Sequence, residues 1–167
     1  NHTKSVSMAY NHGITEATGD YFILQHNDTL YLNNLVPDLM TELEKESYAY
    51  ITIDKKPPKH EEYEKYEYFT DCYWFLCRKD FYSSNDIWVD WKRGDTNHLA
   101  IITCKDTNQK YLHLPGFFEN DEHSRQDFNE SHGYTYDMGN LHTFEDKPFI
   151  LHLKGGTGLY RILKDNR

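Results

Sequence analysis

A chain of 167 residues, 38% apolar and 27% charged, has the size and balance of one globular domain with a single core, which excludes a disordered polymer. Its formal charge of −9, with no basic stripe, excludes nucleic acid as a partner, while a sugar nucleotide stays open because a divalent cation can bridge carboxylate to diphosphate. No apolar run approaches the roughly 18 residues that span a bilayer, so no transmembrane segment is expected.

Residues 4–18 form the first predicted helix: Val6, Ala9, Tyr10, Gly13, Ile14 and Ala17 recur at helical spacing and make one apolar face. Gly19 stands where a left-handed cap is expected. Residues 21–25 (YFILQ) are a nearly continuous apolar run, which predicts a strand buried on both faces of a parallel or mixed sheet. A polar loop, His26-Asn27-Asp28-Thr29, follows. Asn34 is the expected cap of a second helix, with Pro37 in its first turn and Leu35, Leu39, Met40 and Leu43 as its buried stripe. Residues 48–53 (YAYITI) give the next strand. Helix, strand, helix, strand in this order predicts an α/β layered domain.

Residues 54–68 carry Pro57-Pro58, many charges and no apolar period, and predict a surface loop. Residues 72–77 (CYWFLC) return to strand character. A further helix is expected from Gly94 or Asp95 to about Lys105, then a strand over 111–114. Residues 116–147 are polar and weakly patterned, so they form either a functional lid or short elements without a legible period. The last expected strand covers 149–153, before the glycine-rich turn Gly155-Gly156-Thr157-Gly158.

Asp28 is the first residue with chemistry in reach. It follows the C-terminal end of a strand, where ligands of open α/β sheets collect, and a carboxylate there can hold Mg²⁺ or Mn²⁺. An Asx turn through Asn27-Asp28-Thr29 is the plain alternative. Cys72, Cys77 and Cys104 form no metal-type pair, which points to reduced thiols and a cytoplasmic protein. His98, His113, His123, His132 and His142 lack zinc spacing, and neither a G-x-S-x-G elbow nor a phosphate- or dinucleotide-binding glycine motif occurs. The fourteen tyrosines suit carbohydrate rings and a half-buried sheet equally.

Asn11-His12-Gly13-Ile14, then Ala17-Thr18-Gly19-Asp20-Tyr21, then residues 24–29 (LQHNDT) resemble the helix, strand and acidic loop of the family 2 glycosyltransferases of GT-A fold. The loop is most similar to NND-type variants, with only its last position acidic. The resemblance implies a GT-A-like mixed, mostly parallel sheet flanked by helices, in a single domain over 1–167. It implies a sugar transferred, with inversion, from a nucleotide-diphosphate sugar to a glycan or other hydroxyl acceptor, with Mn²⁺ or Mg²⁺ at Asp28. The nucleotide-binding half of such a fold is expected upstream of Asn1 or on a partner chain, since the matched motifs begin after it.

The same resemblance assigns further residues. Gly94-Asp95, before Leu99-Ala100, is similar to the family's base-bearing element, which implies Asp95 as the base and Asp90 in reserve; Asp95 as a plain helix cap stays open. Trp88, Trp91 and Asp90 are implied on the acceptor side, or in the core. His152, in His152-Leu153-Lys154-Gly155-Gly156, is similar to a histidine that completes the metal shell, with a backbone-satisfied strand histidine as the alternative. Asn11, His26, Asn27 and Lys154 fall on the donor side. A non-catalytic sugar-nucleotide-binding remnant, a partner subunit of the same fold, or a metal-dependent hydrolase uses the same residues and stays open.

Overall fold

The computed structural model describes residues 2–53, 55–56, 69–70, 73–90, 97–115, 122–134 and 139–153. The first helix, α1, runs His2–Glu16, and the strand β1 follows as Tyr21–Gln25. Gly19 does not take the left-handed backbone expected of a cap. Its requirement is space: a Cβ there would sit 3.2 Å from the Tyr21 carbonyl. The second helix, α2, spans Val36–Glu46 with Leu35, not Asn34, at its N-cap and no side-chain cap bond; Pro37 in the first turn fixes its start instead. It ends on Ser47 in the left-handed region, φ 56°.

The next strand, β3, is Tyr50–Thr52, and β6 is Trp74–Arg78. Between them, Lys55–Lys56 (β4), at the start of the segment expected to be a loop, pairs antiparallel with Phe69–Thr70 (β5), just after it. A short helix α3 (Lys79–Ser84) follows β6 directly, α4 is His98–Thr107 and β7 is Leu112–His113. Helix α4 starts at His98 with Asn97 as its N-cap, and the expected start, Gly94 or Asp95, lies outside the described residues.

Among the described residues the main sheet has the order β1-β6-β3-β7. Strand β6 is antiparallel to both β1 and β3, and β3 is parallel to β7. Three of the four strands therefore point the same way around one reversed strand, the mixed α/β sheet flanked by helices that was expected. One correction concerns β1. It lies at the end of this sheet, so its burial alternates, with Phe22 and Leu24 inside and Ile23 and Gln25 exposed.

Each face of the sheet carries a core. Phe22, Leu24, Tyr50, Phe75 and Cys77 pack with Ile14 of α1, Phe81 and Tyr82 of α3, and Ala100 and Cys104 of α4. On the other face, Leu39 and Leu43 of α2, one turn apart, meet Ile51, Ile53, Trp74 and Leu76. Each of those leucines is fully buried, a contribution of about 1.5–3 kcal/mol apiece.

The polar region 116–147 holds two of the elements it left unplaced, helix α5 (Glu122–Ser131) and strand β8 (Gly139–Phe144). With β9 (Lys147–Leu153) and β2 (Thr29–Tyr31), β8 forms a second, antiparallel sheet of order β2-β9-β8. Its Leu141, Leu151 and Leu153 pack with Phe128 of α5. The β8–β9 hairpin turns on Glu145 and Asp146, both left-handed (φ 48° and 59°), the geometry of a two-residue type I′ turn.

Candidate metal centre

The loop after β1 is fixed by its backbone. The His26 N–H donates to the Tyr73 carbonyl at 3.0 Å, and the Thr29 N–H closes the turn onto the His26 carbonyl at 3.3 Å. The Thr29 hydroxyl donates to the same Tyr73 carbonyl at 3.1 Å. Beyond the turn, β2 joins β9 with Thr29 opposite His152, and the Leu153 N–H donates to the Asp28 carbonyl at 2.9 Å. The main sheet thus delivers His26 and Asp28, the second sheet delivers His152, and strand pairing sets the join.

The three side chains converge. One ligand atom from each of His26, Asp28 and His152 lies within 4.8 Å of the others. His152 Nε2 is 3.4 Å and His26 Nδ1 is 3.9 Å from Asp28 Oδ1. Two ligands each about 2.0–2.2 Å from one ion can stand up to roughly 4.4 Å apart, so both measured separations fit a shared ion. Asp28 Oδ1 is out of reach of solvent and has no hydrogen-bond partner. Neither imidazole satisfies it, although both lie close. A buried oxygen left this way, with two ring nitrogens around it, is the arrangement that a cation completes.

Aromatic rings wall the cluster. Tyr73 lies with its ring centroid 3.9 Å from His152 and 4.4 Å from His26, while Tyr10 of α1 stacks parallel to His26 at 6.3 Å. Gly139 on β8 lets the backbone at His152 come close: a Cβ there would collide with the His152 carbonyl, and its φ of 139° disfavours any other residue. His142, two residues from Asn140 on the face that Asn140 and His152 share, is fully buried. Burial, and then the neighbouring His152, lower its pKa to about 3, so it stays neutral at ordinary pH.

Of the residues expected on the donor side, His26 belongs to the ligand cluster itself, and Asn27 is exposed at the turn beside it. Asn11 does something else. Its amide donates to the Val89 carbonyl at 3.0 Å and accepts from the Val89 N–H at 2.8 Å, which clamps that stretch of chain to α1. Asp90 is buried, 3.8 Å from Nε2 of the buried His98. Trp88 is 47% exposed. Trp91, Asp95 and Lys154 lie outside the described residues. Cys77 and Cys104 are free and buried, and burial pushes both thiols up, Cys104 to about 12, which keeps them protonated and inert.

A separate cleft lies elsewhere. About 520 Å³ in volume, it lies at the opposite end of β1, against Gly19, Asp20, Arg78 and Asp80. Two of its cations are already engaged, since Arg78 forks onto Asp80 at 3.0 and 2.6 Å and Lys79 donates to the Ala17 carbonyl. Among the described residues no helix is long and apolar enough to cross a membrane.

Tyr73, Gly139 and the ligand role of His26 were not read from the sequence. Only His26 carried a signal, its place two residues before Asp28. Comparison with known proteins gives one result: the family model of Glycosyl transferase family 2 matches residues 2–107. No curated protein and no solved structure matches the chain.

Proposed function

This chain belongs to glycosyl transferase family 2, and on that footing we propose that it moves a sugar from a nucleotide-diphosphate sugar to a glycan or other hydroxyl acceptor. The observation that carries the proposal is the His26–Asp28–His152 cluster around a buried, unsatisfied carboxylate oxygen. These three residues would hold the divalent cation. Two imidazoles and one carboxylate suit Mn²⁺ better than Mg²⁺, which favours oxygen shells. When bound, the cation would neutralise the diphosphate and ease its departure.

The remaining roles belong to the chain. Asp95 takes the proton of the acceptor hydroxyl as that oxygen bonds to the sugar carbon and the diphosphate leaves from the other side, an inverting course. Trp88, Trp91 and Asp90 stand on the acceptor side, Asn27 and Lys154 on the donor side, and Asn11 acts through its hold on Val89. A nucleotide-holding unit, on the same polypeptide or a partner chain, completes the donor pocket. The free thiols support a cytoplasmic setting.

Donor hydrolysis and sugar transfer assayed with Mn²⁺ test this. Asp28→Ala and Asp95→Asn should each lose about 100-fold or more, the range expected of a missing ligand or base. Unchanged turnover in both variants overturns the mechanism. Donor binding with no turnover in the wild type supports a non-catalytic binder of the same fold.

A further inference from the structure

Trp88 is the second most exposed of the large apolar residues described, after Met8. It lies between Ile87 (6% exposed) and Val89 (fully buried), so the local alternation asks only for an outward-facing residue there, not an indole. The backbone beneath it is rigid, because both amide ends of Asn11 grip Val89. Beside the indole opens a cleft of about 350 Å³, with Thr15, Lys79, Ser83 and Asp86 among its lining groups. Asp86 holds a left-handed backbone, φ 50°, at its rim. An exposed aromatic face next to hydroxyl and carboxylate groups matches a pyranose, which offers an apolar C–H face and a rim of hydroxyls.

Helix α1 relates this cleft to the metal-capable cluster. Tyr10 stacks on His26, and Ile14, four residues on and on the same helix face, lines the cleft. Tyr10 and Ile14 are separated by a rise of roughly 6 Å along α1, and from Ile14 the cleft runs on toward Lys79 and Ser83, away from His26.

We propose that the Trp88 cleft is a saccharide subsite for a sugar of the acceptor other than the one that reacts, so that the acceptor is an oligosaccharide. The proposal rests on the glycosyl-transfer reading above and names the class of acceptor.

Calorimetric titration tests it, with neutral oligosaccharides of one to four units in glucose, galactose and N-acetylglucosamine series. In at least one series the tetrasaccharide should bind the wild type about tenfold or more tightly than its monosaccharide. Trp88→Ala should flatten that dependence on length, while Trp88→Phe, which keeps an aromatic face, should restore part of it. Since Trp88 is about half exposed, both variants should keep the far-UV circular dichroism and the Mn²⁺ affinity of the wild type. The proposal is overturned if no saccharide binds, if affinity does not grow with length, or if Trp88→Ala keeps the same dependence. Loss of donor turnover is a separate readout: if Asp28→Ala hydrolyses donor normally while the dependence on length persists, the transfer mechanism fails and the subsite stands.

Discussion

Asp28 keeps one oxygen away from both water and hydrogen bonds, an arrangement that costs about 1–3 kcal/mol when nothing fills it. Gly139 lies tight against the backbone of His152, the partner of Asp28. Gly139→Ala should destabilise the fold by about 1–3 kcal/mol through overpacking and backbone strain, read by urea unfolding. It should also weaken Mn²⁺ binding, because the strand would shift at His152. His142 gives a pH signature. Its folded pKa of about 3 lies below the ordinary 6.5, so as acid is added the unfolded chain takes up the proton first. The stability it contributes is complete above pH 6.5 and drains as pH falls towards 3, by at most about 1.4 kcal/mol per unit. His142→Leu should flatten that part of the stability–pH curve; an unaltered slope would show that another group sets it.

Asn11 supplies at element scale what no strand does: a fixed distance between α1 and the chain around Val89. Asn11→Ala removes both hydrogen bonds and should cost about 1–3 kcal/mol in urea unfolding. The elements differ in how plainly the sequence announces them. Strand β1, helix α2 and strand β9 declare themselves through apolar runs or an i, i+4 stripe. Strand β2 is three residues long, and β8 buries His142 and Thr143, so its inward face looks like surface until the second sheet is seen. Asp28 stood out in the sequence because it follows an apolar strand, whereas His152 stood out only through its resemblance to the family's metal-shell histidine. His26 as a ligand was not, since only the closed turn 26–29 brings its ring to Asp28, and Tyr73 and Gly139 reach the site by tertiary contact alone.

At the scale of the molecule, the candidate metal centre lies where the four-stranded and three-stranded sheets join, with residues 26 and 28 from one side and 152 from the other. A cation bound there links segments far apart in the chain, so it should stabilise the folded state over the unfolded one. At a free concentration near 100 times its dissociation constant the gain is about 2.7 kcal/mol. For a domain of this size that raises the melting temperature by roughly 5–10 °C. Differential scanning fluorimetry with Mn²⁺, reversed by EDTA, reads it directly. The shift should vanish in Asp28→Ala, and a shift that survives there would place the ion elsewhere.

The pairing of Thr29 with His152 also bears on how such a chain can change over generations. Side chains along a strand alternate in direction, so one residue gained or lost between the Glu145–Asp146 turn and His152 would turn the imidazole to the opposite face. Substitutions there can be absorbed one at a time; changes of length cannot. Descendants that keep the ion should vary freely in the letters of that strand and hardly at all in their number.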